Sequence, residues 1–228
     1  MADQSGKTDL LVLGTLHLDE RKAPFYIRRL KEIIEMLSPA AICSELTPEQ
    51  LAGEMAITSK PEYEAAILPV AKKLEIPVVA MPPKLTDSRE MDDRLRQVEQ
   101  KIGDDVLLKT RMDMIELLVA KSYTRLHELV RQPDALDLLQ AEAYHLLLVA
   151  PRHDLLESFF PEFHRVWTEL NERYFKRIIE TVGQYPEKLV LVTIGLDHKY
   201  WLDRKLAEVG YIRLRKLTDF TRNQEAAK

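Results

Sequence analysis

Apolar residues follow two rhythms along this chain. Short unbroken runs, closed by a glycine, a proline or a polar break, read as buried parallel strands, because a strand covered on both faces leaves no polar positions to alternate with. Four segments have this character: Leu10–Gly14 (LLVLG), Ala40–Leu46 (AAICSEL), Ile76–Met81 (IPVVAM, followed by Pro82-Pro83) and Lys188–Ile194 (KLVLVTI). A fifth, Tyr211–Leu217 (YIRLRKL), alternates apolar and charged positions and reads as an edge strand. Elsewhere the spacing is helical. Ile27, Leu30, Ile33, Ile34 and Leu37 follow Pro24, a residue suited to the first turn of a helix, and stop at Ser38-Pro39. Thr47-Pro48-Glu49-Gln50 is an N-cap, proline and acid signature for another helix, and Pro61–Leu74 reads as a further one.

From about Asp87 to Gln184 the strand rhythm disappears. Nearly a hundred residues are periodic at helical spacing, and Pro133, Pro151, Pro161 and Gly183 divide them into about four helices. Gly183 is expected to be the C′ residue of the last, Glu162–Val182. The expected fold is α/β: a mostly parallel sheet of about five strands, with a large all-helical insertion between strands three and four. Residues 1–228 form one domain in this reading, with an α/β core at 9–86 and 186–218, an insertion at 87–185, and a polar leader at 1–8. The β-α-β-α-β start calls for right-handed crossovers, and the strand order expected of a doubly wound sheet is 3-2-1-4-5.

Composition narrows the classes. Apolar residues are 46% and charged residues 31%, an ordinary mix for a globular protein. Lys and Arg total 33 against 37 acids, a net charge of −4, which argues against a nucleic-acid or anionic-membrane binder. Cys43 is the only cysteine, so thiolate-cluster metal sites and intrachain disulfides are excluded. The N-terminal residues carry no apolar signal core and no apolar run approaches the roughly 20 residues of a membrane span, so the expected location is cytoplasmic. The oligomeric state is not readable from the sequence.

Glycine is scarce, with seven in the chain, about half of what a usage of roughly 7% gives. Two of the seven open the same pattern, Gly14-Thr15-Leu16-His17 and Gly195-Leu196-Asp197-His198, each directly after an apolar strand. Glycine tolerates positive φ and close backbone approach, so the chain can turn sharply off the strand. The histidine that follows is expected over the carboxyl edge of the sheet, where open α/β folds bind ligands. Glu45 ends strand two and is expected beside strand one. Two imidazoles and a carboxylate suit a divalent metal with an open position for water (Mn, Co or Zn, held by His17, Glu45 and His198). They suit metal-free acid–base work equally well.

These residues resemble the superfamily that contains TraB and TIKI proteins, erythromycin esterases and the haem-binding ChaN proteins. In that group an N-terminal G-T-x-H is followed by a strand ending in Glu, a helical region carries an Arg, and a late strand ends in G-x-G-H or similar. The likeness covers residues 9–46 and 165–210. By position it makes Arg173, in Asn171-Glu172-Arg173-Tyr174-Phe175, the counterpart of the family arginine, although Tyr174 departs from the family pattern. TIKI relatives imply metal-dependent peptide hydrolysis, the esterases imply metal-free lactone hydrolysis, and ChaN implies haem binding.

The expected function is therefore divalent-metal-dependent hydrolysis of a peptide, ester or lactone bond in a peptide or other small substrate, at the carboxyl ends of strands one, two and four, with His17, Glu45, Arg173 and His198 as the reactive set. Arg173 would stabilise substrate or oxyanion charge, Arg177 one turn on would meet an anionic substrate group, and Asp197 would orient an imidazole. The alternative is a binding protein whose crevice takes haem or another small ligand. A single E-x-x-H, Glu142 to His145, lacks the second copy that a di-iron bundle needs. Cys43 shares a strand face with Glu45 and reads as a small buried apolar residue.

Overall fold

The computed structural model describes residues 6–82, 85–129, 135–140 and 149–225. The leader up to residue 5 and the Glu142–His145 segment lie outside them. Five parallel strands form one sheet: β1 (Thr8–Thr15), β2 (Ala41–Ser44), β3 (Val78–Ala80), β4 (Leu189–Gly195) and β5 (Ile212–Arg215). The α/β class and the strand number expected from the sequence are therefore present. Helices α1 (Pro24–Leu37), α2 (Pro48–Leu51) and α3 (Leu68–Lys73) belong to the first half of the chain. Between β3 and β4 come α4 (Leu85–Asp104), α5 (Val106–Leu129), α6 (Ala135–Leu139), α7 (Ala150–Phe159) and α8 (Pro161–Val182); α9 (Leu196–Ala207) and α10 (Thr218–Glu225) complete the described chain. Among the described residues no helix is long and apolar enough to cross a membrane.

The strand order is β3-β2-β4-β1-β5, which corrects the expected 3-2-1-4-5. β4 pairs with β1 from Asp9↔Leu189 to Thr15↔Gly195, and with β2 from Ala41↔Val190 to Ser44↔Thr193, so Glu45 is next to β4 and not β1. The reason is chemical matching at the edge. β4 carries no charge and takes a position paired on both sides, whereas β5 carries Arg213 and Arg215. Asp9 stands directly across from Arg213 in the β1–β5 register and accepts hydrogen bonds from both arginines. A charged edge strand belongs where its counter-charge is.

Each sheet face has its own core. Leu11, Leu13, Ile42 and Leu191 pack against Ile27, Leu30 and Ile34 of α1 and against Ile67 and Ala71 beside α3. Leu10, Val12, Val190, Val192 and Ile194 pack against Tyr174, Ile178 and Val182 of α8 and Leu202 and Leu206 of α9, with Cys43 among them. Burial pushes the Cys43 thiol up to about 12, which makes it an inert core residue. The helical segment is not uniform: Val98, Ile102, Ile115, Leu156 and Phe160 form a small core of their own. Leu136 and Leu139 of α6, in contrast, join the core beneath α1.

Two local features shape the carboxyl edge. The sequence reads Pro61–Leu74 as one helix, but Tyr63–Ile67 form a π turn before α3, with Leu68 N–H bonded to Tyr63 O. Pro69 has no N–H for the carbonyl four residues back, and the wider turn carries the chain past it. Second, β5 pairs with β1 only from Thr8 to Leu11, leaving the outer edge beyond open. The Gln140 side chain closes it as a one-residue strand, accepting from Gly14 N–H at 2.9 Å and donating to Gly14 O at 3.0 Å.

Of the two glycine properties invoked for the motifs, positive φ is not used and close backbone approach is. Gly195 has φ −52°, and the positive-φ glycines among the described residues are Gly6 and Gly53. Nor does Gly183 adopt a left-handed cap, since its φ is −61°. What Gly14 supplies is room: a Cβ there would lie 2.5 Å from Leu196 Cδ1 and 3.1 Å from Lys199 Cδ, both on buried residues. Gly14→Ala is therefore expected to destabilise the fold by about 1–3 kcal/mol, the usual cost of overpacking, read as a lower urea midpoint. An unchanged midpoint would mean that α9 yields freely.

Candidate functional site

Parallel strands that end level put their last residues side by side. Thr15, Ser44 and Gly195 close β1, β2 and β4, and the chain beyond them brings His17, Glu45 and His198 together. Glu45 is the centre. Its carboxylate is buried, with Oε2 accepting the Gly195 N–H at 2.8 Å and facing His17 Nε2 at 3.8 Å. Oε1 lies 3.2 Å from Lys60 Nζ and 4.0 Å from His198 Nε2. Lys60 also donates to the Glu45 carbonyl at 2.9 Å, and the Glu45 N–H is held at 3.1 Å by the Tyr63 hydroxyl, which donates in turn to Thr193 O at 2.8 Å. Gly195 also leaves little room here: a Cβ would stand 3.1 Å from His17 Nε2 and 3.6 Å from both Glu45 Oε2 and His198 Cδ2.

His17 has φ +54°, a left-handed backbone uncommon for a side-chain-bearing residue. Two contacts hold it. Leu16 N–H donates to the buried Tyr26 hydroxyl at 3.1 Å, and the ring Nδ1 lies 2.7 Å from Glu62 Oε1. Glu62 is fully buried, and its Oε2 has no hydrogen-bond partner among the described residues. An ionised carboxylate only accepts, so the His17 Nδ1 carries the proton and Nε2 faces the site. Burial by itself lowers the His17 pKa, but the Glu62 hydrogen bond and the fields of Glu45 and Glu62 outweigh it and leave the pKa raised.

His198 is in the first turn of α9, its Nδ1 2.9 Å from Asn171 Oδ1. Asn171 donates through Nδ2 to Trp167 O at 2.8 Å, which fixes the amide so that its oxygen accepts from His198. This ring too therefore points an unprotonated Nε2 at Glu45. It is parallel to the Trp167 indole at a centroid distance of 5.6 Å and edge-on to Tyr174. Burial lowers its pKa against the fields of Glu45 and Asp197. Glu45 itself would be raised by burial, but Lys60, both histidines and the Gly195 amide reverse this and keep it ionised, with a lowered pKa.

The remaining sequence candidates lie elsewhere. Arg173 is two residues from Asn171, roughly 200° around α8, and lines a separate cavity with Trp167, Lys176 and Tyr200. Arg177 is exposed at the end of β3, donating to Ala80 O at 3.2 Å and to Glu180 at 2.8 Å. Asp197 pairs with Arg152 at 3.0 Å; the ring partner of His198 is Asn171. Lys60, Glu62, Tyr63 and Asn171 went unnoticed in the sequence. The one signal for the first three was Lys60-Pro61-Glu62-Tyr63, a helix start in which Glu62 reads as an ordinary first-turn acid.

A divalent cation held by His17, Glu45 and His198 would share the Glu45 oxygens with an ammonium at 3.2 Å and an amide at 2.8 Å. A second positive charge at that spot repels the first. Among the described residues no three His, Cys, Asp or Glu side chains are grouped as metal ligands. The cavities of about 850 and 630 Å3 are lined by neither His17 nor His198. In comparisons with known proteins, no family model, no curated protein and no solved structure matches this chain.

The shifts have a direct readout. A raised His17 pKa contributes stability that is fully present below its ordinary value of 6.5 and is lost as pH rises through the folded pKa. A lowered Glu45 pKa contributes above its ordinary value of 4.5 and is lost as pH falls through the folded pKa. In a histidine NMR titration His17 is expected to have its midpoint above 6.5 and His198 below it, with His17 moving down in Glu62→Gln. A wild-type His17 midpoint under 6.5 would contradict the Glu62 pairing.

Proposed function

We propose that the protein is a hydrolase of peptide, ester or lactone bonds that works without a metal, with His17 as general base. The observation that carries this is the buried Glu62 carboxylate 2.7 Å from His17 Nδ1, with the opposite ring nitrogen turned to the site. A carboxylate behind an imidazole fixes its tautomer and stabilises the imidazolium formed when the ring takes a proton. The raised pKa makes this ring the stronger base of the two histidines at the site.

The 3.8 Å gap between His17 Nε2 and Glu45 Oε2 suits one water hydrogen-bonded to both. His17 removes its proton as the oxygen attacks the substrate carbonyl, and Glu45 orients the water and favours the imidazolium. Two of the three Lys60 donors are engaged by Glu45 oxygens, which leaves one for the developing oxyanion. His17 then returns the proton to the leaving group. His198, neutral, accepts a hydrogen bond through Nε2 and keeps the substrate in place. The resemblance of the paired G-x-x-H motifs to a superfamily with metal-free esterases supports the same reading.

With protein purified without a histidine tag, hydrolysis in a panel of p-nitrophenyl esters, lactones and dipeptides should survive chelation and proceed with far less than one metal per chain. His17→Ala should lower the rate by about 10²–10⁴, the usual contribution of a positioned general base. Wild-type turnover by His17→Ala would sink the assignment, and stoichiometric metal with chelator-sensitive activity would replace it by the metal-dependent one.

A further inference from the structure

Beside the histidine site, α7, α8 and α9 enclose the larger cavity, of about 850 Å3. That volume is in the range of small-molecule pockets. Its floor is aromatic. The His153 ring lies 4.2 Å from Trp167 and parallel to Tyr200 at 6.1 Å, and Trp167 also stacks on His198. One indole thus separates this cavity from the proposed reactive site. His153 is buried, at 5% exposure, and neither ring nitrogen has a hydrogen-bond partner among the described residues. Buried polar groups are almost always paired, and this imidazole, without a partner among the described residues, lies in the aromatic floor of the cavity. Burial holds this ring neutral, with a pKa pushed down to about 4, so the aromatic floor carries no charge there.

The walls carry charge of both signs. On α8, Glu169 and Glu172 are matched by Arg94 at 2.7 Å and Lys205 at 3.3 Å. Arg173 and Lys176 on the same wall make no ion pair among the described residues. On α7, Asp154 and Glu157 line the cavity, exposed and likewise without an ion pair among the described residues. Unmatched cations on one helix and unmatched acids on its neighbour, over an aromatic floor, complement a molecule that carries a carboxylate, an ammonium and a ring.

We propose that this cavity recognises an aromatic zwitterion of the amino-acid or short-peptide class. The ring lies against the Trp167–His153–Tyr200 cluster, the carboxylate meets Arg173 and Lys176, and the ammonium meets Asp154 and Glu157. Arg173 is then a specificity residue for the substrate rather than a stabiliser of the reacting carbonyl. Only the statement that this ligand is the substrate rests on the hydrolase reading.

Both tryptophans of the chain, Trp167 and Trp201, line the cavity, so intrinsic fluorescence reports occupancy directly. Alanyl-phenylalanine is the probe, with alanyl-alanine and the N-acetylated, C-amidated alanyl-phenylalanine as controls. The expected result is a saturable change with alanyl-phenylalanine, and at least tenfold weaker apparent affinity for each control and for the double substitution Arg173→Ala, Lys176→Ala. These two side chains lie outside the core, so the doubly substituted protein keeps its fold. His17→Ala should bind the probe as the wild type does. Binding without turnover in the wild type would overturn the statement that this ligand is the substrate and leave the recognition pocket standing. No saturable change, equal affinity for the three ligands, or unaltered binding by the double substitution would overturn the pocket.

Discussion

Two carboxylates, Glu45 and Glu62, are buried at the carboxyl edge of the sheet, and much of the local structure follows from compensating their charge. Removing one partner of a buried pair leaves an uncompensated charge at a cost of about 3–5 kcal/mol. The compensating groups come from distant parts of the chain: His17 after β1, Lys60 before the π turn, and the Gly195 amide and His198 at the start of α9. None can move without exposing a bare charge to an apolar interior. Through the hydrogen bonds of Tyr63 the same site ties the end of β2 to β4, so the electrostatic requirement also sets where the strands stop.

This explains why β4 lies between β2 and β1. Glu45 accepts the Gly195 amide only because its strand is the immediate neighbour of β4, and His17 reaches the same carboxylate because β1 flanks β4 on the other side. In the expected order β1 would have stood between β2 and β4. The elements themselves were legible, because unbroken apolar runs and helical spacing are local signals. Their order was not, because it depends on pairings such as Asp9 with Arg213, which become meaningful only once β1 and β5 are neighbours. The π turn was equally hidden, since Pro69 can break a helix or widen it.

His17, Glu45 and His198 were readable because two repeated motifs in a glycine-poor chain draw attention to strand ends. Their supporting residues had no such mark. Glu62 and Asn171 are single polar residues on helices, and only tertiary packing turns them into ring partners. Arg173 illustrates the limit of reading by spacing: two positions along α8 separate the site-facing Asn171 from a side chain in another cavity. Of the two reasons that glycine suits these positions, close approach is the one that matters. The glycines keep backbone close to side chains, while the positive φ falls on His17 itself. Such strain costs on the order of 1–3 kcal/mol, and it is sustained by the Tyr26 and Glu62 contacts on either side of the turn.

The two histidines face one carboxylate yet are driven apart by what stands behind them. His17 backs onto a fully buried anion and His198 onto a neutral amide. The first gains proton affinity, and the second, more enclosed, loses it. Environments that separate the pKa values of neighbouring groups are how one site assigns different roles to chemically identical side chains. Were both rings to be protonated together, two cations would crowd Glu45 alongside Lys60. Keeping His198 neutral avoids that, and it leaves His17 as the only ring that can take up a proton while Glu45 remains ionised. The asymmetry between Glu62 and Asn171, more than the symmetry of the two motifs, is therefore what makes His17 the base in the proposed reaction.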